Sequence, residues 1–159
     1  MNKFVRVLSD DEGLGFCVSH QLDQAGYTAH ATSTVADFTA SLHENEDYVF
    51  ITDYLLGREG CSEPLLSALL TSGAAPKAVI VMSALPRFED ALEAVSARYT
   101  GVNIPFFFIQ KPFHQEKLVD ILFMIERNQG PLRECATVRA QVAGSEFLPL
   151  KITRDQAAG

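Results

Sequence analysis

The sequence predicts an α/β protein, a doubly wound five-stranded parallel sheet with a short C-terminal extension. Two observations carry that prediction. Apolar periodicity switches repeatedly between strand-like and helix-like stretches, and alternation of this kind implies right-handed β-α-β crossovers. Three of the strand candidates are also near-continuous apolar runs, Tyr48-Val49-Phe50-Ile51, Ala78-Val79-Ile80-Val81-Met82 and Phe106-Phe107-Phe108-Ile109. Runs without polar alternation suit strands covered on both faces, as in a parallel sheet.

The strands are expected at residues 4–8, 27–31, 48–52, 78–82 and 105–110. Between them lie helical stripes. Leu14, Cys17, Val18 and Leu22 recur at i, i+3, i+4 and i+8. Val35, Phe38 and Leu42 form a second stripe, with Ser33 or Thr34 as N-cap, and Leu65, Leu66, Leu69 and Leu70 a third that Ser72-Gly73 ends. A fourth comprises Phe88, Ala91, Leu92 and Val95, with Pro86 where a first helical turn tolerates it. The fifth, Leu118, Ile121, Leu122 and Ile125, is the cleanest.

Composition sets the limits. The 159 residues carry 13 basic and 20 acidic side chains, a net charge of −7, and are 47% apolar with 11 Phe and no Trp. That is one domain and an appendage, with material for a real core. The acidic balance gives no support for nucleic-acid binding. No apolar run approaches the ~20 residues of a membrane helix, and the N-terminus lacks the pattern of a signal peptide. Cys17, Cys61 and Cys135 are odd in number and widely spaced, which suits a reducing cytosol. His20, His30, His43 and His114 lack metal-ligand spacing.

A boundary is expected at Gly130-Pro131, a breaker pair. Residues 1–129 hold 9 basic and 17 acidic side chains, a balance of −8, whereas residues 130–159 hold 4 and 3, a balance of +1. The extension is expected to be loosely ordered, with a helix at 132–142 and a short extended piece at 147–152. Thirty residues are too few for an independent core.

In an open α/β sheet, ligands bind outside the carboxyl ends of the strands. Strand one ends in Ser9-Asp10-Asp11-Glu12, strand three in Thr52-Asp53-Tyr54, strand four in Ser83-Ala84 and strand five in Lys111-Pro112. Three carboxylates on one edge repel one another, and a divalent cation relieves that repulsion. Hard oxygen donors favour Mg²⁺. Lys111 adds a fixed positive charge and Ser83 a hydroxyl, the groups a transferring phosphoryl group needs around its equatorial oxygens. A carboxylate among them can act as the nucleophile and form an aspartyl phosphate.

Residues 3 to about 127 thus resemble a two-component response-regulator receiver domain of the chemotaxis-receiver type, whose sheet is flavodoxin-like with strand order 2-1-3-4-5. The resemblance implies Asp53 as phosphoacceptor and Asp10 and Asp11 as the acidic pair at the metal. Mg²⁺ would be held by Asp10, Asp11 (directly), Asp53 and the backbone carbonyl of Leu55. It further implies Ser83 as switch hydroxyl, Lys111 as phosphate contact before a cis-proline, Phe108 as aromatic rotamer switch and Gly60 as loop glycine. Leu55 and Leu85 would flank the approach of a hydrolytic water.

The function implied is that of a cytoplasmic regulatory domain, not an enzyme beyond its own phosphotransfer and dephosphorylation. Its partners would be a sensor histidine kinase or phosphotransfer protein and a downstream protein or output module, without nucleic acid or membrane; a homodimer is one assembly it allows. The stretch from Ser83 to Lys111 is longer than the family pattern, with residues 97–103 extending the fourth helix and its loop. This length, with residues 142–149, resembles receivers attached to EAL-type cyclic-di-GMP phosphodiesterase modules. A receiver-fold scaffold that is never phosphorylated is the other alternative. Two competing chemistries lack their motifs. Gly13-Leu14-Gly15 has no third glycine for a dinucleotide cradle, and Asp53-Tyr54-Leu55 lacks the second aspartate of haloacid-dehalogenase-type phosphatases.

Overall fold

The structure is a computed structural model that describes residues 3–84, 104–114, 116–127, 138–141 and 147–150. Five strands, β1 (Phe4–Leu8), β2 (Thr28–Thr32), β3 (Tyr48–Asp53), β4 (Ala78–Ser83) and β5 (Phe106–Gln110), form one sheet in the order β2-β1-β3-β4-β5. The described helices are α1 (Glu12–Gln24), α2 (Val35–Ser41), α3 (Glu63–Leu70) and α4 (Glu116–Arg127), the last carrying the fifth apolar stripe of the sequence. The fourth stripe, with Pro86, and residues 97–103 lie outside the described residues. No described helix is long and apolar enough to cross a membrane. The chain packs as two compact units, Met1–Ile80 and Val81–Gly159.

In the first unit, β1 pairs in parallel with β2 and with β3, Leu8 standing opposite Thr32 on one side and Thr52 on the other. Every residue of β3 and β4 is buried, as their unbroken apolar runs require. The edge strand β2, Thr-Ala-His-Ala-Thr, has no fully buried residue and is correspondingly polar. It starts one residue later than periodicity predicts. Tyr27 is buried but belongs to the turn, its N–H donating to the carbonyl of Leu22 at 3.0 Å, and the ladder opens with Thr28 N–H to Lys3 O. Gly26, at φ +93°, makes the turn a conformation side chains resist. Helix α2 takes Thr34 as its N-cap, the hydroxyl accepting from Asp37 N–H at 3.1 Å. The stripe breaks at Leu42, which has left the helix with ψ 143°.

Arg6 is a cation in the middle of β1 and only 3% exposed. A buried charge of this kind must be paired. Its Nε and Nη2 donate to the two oxygens of Glu46 at 2.6 and 2.8 Å, and Nη1 and Nη2 donate to Ser41 Oγ and O at 2.7 Å each. The fork ties the end of α2 and the approach to β3 onto β1. Tyr48 donates to the carbonyl of Ala74 at 2.6 Å. Burial pushes its phenol well above the usual range, with Glu46 adding and Arg6 opposing, so it stays a neutral donor.

In the second unit, β5 is buried along Phe106–Ile109 and α4 buries Leu118, Ile121, Leu122 and Ile125. The extension departs from expectation at one point. Residues 138–141, predicted as the end of a helix over 132–142, form strand β6 (Val138–Gln141), paired antiparallel with β7 (Phe147–Leu150). The apolar residues of Val-Arg-Ala-Gln alternate with period two, and Gly144 lies midway to an extended partner. A hairpin pairs both backbones, which an isolated helix of about ten residues in water does poorly. Of the extended piece expected at 147–152, residues 147–150 form β7, and 151 and 152 lie outside the described residues.

Removing the carboxylate at Glu46 strands a guanidinium in a closed interior, and such losses cost about 3–5 kcal/mol. Glu46→Ala is therefore expected to lower the unfolding free energy in urea by about 3 kcal/mol, and Arg6→Met with Glu46→Leu to recover most of it. A loss from Glu46→Ala within the range of exposed ion pairs, under about 1 kcal/mol, would show that the fork is not structural.

Candidate functional site

The site grows from the ends of β1 and β3. Because Leu8 stands opposite Thr52, one further step along each strand sets Ser9 beside Asp53. Both are 1% exposed. Ser9 Oγ donates to Asp53 Oδ2 at 2.5 Å and accepts from Asp11 N–H at 3.2 Å. One hydroxyl thus joins the carboxylate that ends β3 to the backbone that opens α1. A carboxylate this deeply enclosed costs several kcal/mol unless its oxygens are partnered, and a charge-assisted bond of this length is among the stronger remedies.

Asp10 and Asp11 are exposed and face different groups. Asp11 is the N-cap of α1, its Oδ1 accepting from Leu14 N–H at 3.1 Å. Asp10 lies over the loop after β3, where a Cβ built on Gly57 would come within 2.7 Å of its Oδ2. Gly57 has φ +59°, a conformation that favours glycine, and a Cβ there would push the Asp10 carboxylate aside. The loop closes on itself through Leu56 N–H to Gly60 O (2.7 Å) and Ser62 N–H to Tyr54 O (2.7 Å), around a 3₁₀ turn at Gly57–Glu59. Gly60, the glycine the sequence points to, has φ +79°. Glu59 reaches out of the loop to accept from Val35 N–H at the start of α2 (3.0 Å). Leu55 is 49% exposed, and Tyr54 has its phenol raised by burial, then by Glu63 and Cys61.

The donor set expected for a metal is all oxygen, the carboxylates of Asp10, Asp11 and Asp53 with the Leu55 carbonyl. That chemistry fits a hard cation such as Mg²⁺ and disfavours softer ions. Among the described residues, however, no three acidic, imidazole or thiol groups are gathered as a metal shell. The convergence expected from the sequence is one of position along the edge. Asp11 is turned to its cap and Asp10 to Gly57, so the carboxylates are close in the fold without meeting at one point.

The second unit holds Ser83, Phe108 and Lys111. Ser83, 5% exposed, ends β4, and its carbonyl accepts from Lys111 N–H at 2.7 Å, binding the ends of β4 and β5 together. The Lys111–Pro112 bond is cis. Phe108 is 1% exposed, a core residue of β5 in this conformation. Leu85 lies outside the described residues. Two residues escaped the sequence reading, Ser9 and Gly57. Ser9 was legible only through strand register, and Gly57 only through contact with Asp10, since its turn already contained a better-placed glycine.

No family model matches the chain, and no curated protein matches it in sequence. Its fold has solved counterparts. A response regulator receiver protein from Pseudoalteromonas atlantica superposes with a TM-score of 0.62 at 18% identity, covering 79% of this chain and 98% of that one. The BeF3-activated DrrB receiver domain gives 0.60 at 22% identity, covering 80% and 99%. The chemotaxis response regulator CheY4 of Vibrio cholerae gives 0.58 at 19%, covering 79% and 99%. With five parallel strands in the order 2-1-3-4-5 and these neighbours, the chain has the fold of response-regulator receiver domains.

Proposed function

We propose that this protein is a phosphorylation-activated receiver that takes a phosphoryl group on Asp53 from a histidine kinase or phosphotransfer protein. The observation that carries the reading is Asp53 itself, a carboxylate 1% exposed at the carboxyl end of a fully buried strand, with Asp10 and Asp11 at the neighbouring strand end. Structural acids are seldom placed so deep, whereas a nucleophile shielded from bulk water keeps its acyl phosphate from rapid hydrolysis.

An Asp53 oxygen attacks phosphorus, the bond from phosphorus to the donor breaks, and the donor leaves with the electron pair. Asp10, Asp11, Asp53 and the carbonyl of Leu55 would hold Mg²⁺, which when bound offsets the charge on the phosphoryl oxygens. Asp11 has a second oxygen beyond the one that caps α1, so the cap and a cation contact are compatible. Ser83 and Lys111 are assigned to the phosphoryl oxygens as hydroxyl donor and fixed cation. Movement of Ser83 would bias β5 and α4 between two states, with Phe108 as the aromatic that follows, and output passes to a partner protein. The reactive groups are needed only for the protein's own phosphotransfer, and the free Cys17 and Cys61 suit a cytoplasmic setting. A receiver cut from a longer EAL-type regulator would share this chemistry; an unphosphorylated scaffold would not.

Incubation with acetyl phosphate and Mg²⁺ is expected to place one phosphoryl group on each chain. Asp53→Asn should abolish uptake with the fold intact, because an amide keeps the shape but forms no acyl phosphate. Asp11→Ala should raise the Mg²⁺ concentration needed. Undiminished uptake by Asp53→Asn would refute the acceptor, and an unchanged Mg²⁺ dependence in Asp11→Ala the metal site.

The exposed Leu55 side chain stands two residues beyond the acceptor, where it takes up space without holding a water by hydrogen bonding. The phosphorylated state should therefore be long-lived, and Leu55→Asn should shorten its half-life several-fold. A half-life unchanged by that substitution would show that Leu55 does not limit water access.

A further inference from the structure

The apolar face that Val5 and Val7 present along β1 should continue with an apolar residue at position 9. It continues instead with a buried hydroxyl on the acceptor carboxylate. We infer that Ser9 sets the balance between the unphosphorylated and phosphorylated forms of Asp53, by stabilising the free carboxylate more than the acyl phosphate. The inference rests on the receiver reading of Asp53 and assigns it a positioning residue.

The physical basis is the change in the acceptor's charge. Before transfer, Ser9 Oγ–H donates to an oxygen that shares a full negative charge, at 2.5 Å. After transfer that oxygen is the carbonyl or the bridging oxygen of an acyl phosphate, and either is a neutral, weaker acceptor. Hydrogen bonds to charged groups are worth about twice those between neutral ones. An interaction stronger in the ground state than in the transition state slows the step it precedes. Ser9 therefore retards attack on the donor's phosphorus.

The same bond helps the reverse chemistry. In hydrolysis a water oxygen attacks phosphorus and the bond between phosphorus and the Asp53 oxygen breaks. The carboxylate leaves with the electron pair, and the water's proton goes to the released phosphate. As negative charge returns to the carboxylate, Ser9 stabilises it. The second contact, Asp11 N–H to Ser9 Oγ at 3.2 Å, orients the hydroxyl so that its own proton points to Asp53. Ser9 thus acts on both rates in opposite senses, biasing the site toward its resting form.

The test compares the whole chain with Ser9→Ala and Ser9→Thr, using radiolabelled acetyl phosphate at saturating Mg²⁺ and measuring uptake and first-order release separately. The ratio of uptake rate to release rate is expected to rise about fivefold to tenfold in Ser9→Ala, from the difference between charged and neutral hydrogen bonds. Ser9→Thr keeps the hydroxyl and should keep the parent ratio. A ratio in Ser9→Ala within twofold of the parent, with the parent phosphorylated on Asp53, overturns the inference and leaves the receiver reading standing. A threonine variant that shifts the ratio as alanine does also overturns it, since the cause is then packing. If the parent takes up no phosphoryl group, the receiver reading fails and the inference with it.

Discussion

A carboxylate buried at the end of the strand between β1 and β4 is the constraint around which this structure is arranged. Asp53 cannot sit 1% exposed without a partner, and Ser9 Oγ supplies one at 2.5 Å. That bond requires β1 and β3 to pair with Leu8 opposite Thr52. A register shifted by one residue would turn Ser9 to the other face of the sheet and set Asp53 beside Leu8 or Asp10, neither of which can donate the hydrogen bond. The same register fixes where the chain leaves β1, and hence where Asp10 and Asp11 stand. Asp11 then caps α1, and Asp10 lies over Gly57, whose φ of +59° is a conformation that side chains resist. The local conformations at the site follow from one pairing of strands.

A second polar anchor holds the preceding loop. Arg6 lies in β1 and reaches Glu46 and Ser41 through a four-bond fork. Such a pair adds little stability over apolar residues of equal volume, yet it is costly to break. Its consequence is positional. The chain entering β3 is fixed to β1 before the strand begins, so the register that places Ser9 beside Asp53 is constrained at both ends of the strand. Hydrophobic burial holds the sheet together, and these polar contacts select one alignment of it.

Most elements were legible because a parallel sheet writes itself as apolar runs, and β3, β4 and β5 are such runs, whereas the strand order came from the family resemblance. The positions of the acids, hydroxyl and lysine at strand ends were legible because each closes or closely follows an apolar strand in the sequence. What failed to show has physical reasons. Tyr27 looked like strand because burial and β-propensity coincide, yet the turn at Gly26 claims it. Residues 138–141 looked helical because local propensity says nothing of the partner strand at Phe147–Leu150, and the rest of the expected helix lies outside the described residues. Ser9 was placed at the end of strand one but given no role, because only the strand register and the burial it brings show its hydroxyl on Asp53. Carboxylate rotamers were likewise beyond the sequence. Three acids at one edge suggest a ready cluster, and the structure instead spends them on a cap, a glycine contact and a serine.

Chemical mapping of the acceptor tests the central claim most directly. Borohydride reduces an aspartyl phosphate to homoserine and leaves free carboxylates untouched, so the acceptor position is read from the peptide that changes. After treatment with acetyl phosphate and Mg²⁺, then borohydride, the account predicts homoserine at position 53 alone. Homoserine at Asp10 or Asp11, or an unaltered peptide across residues 48–58 under conditions where a known receiver is labelled, would contradict it.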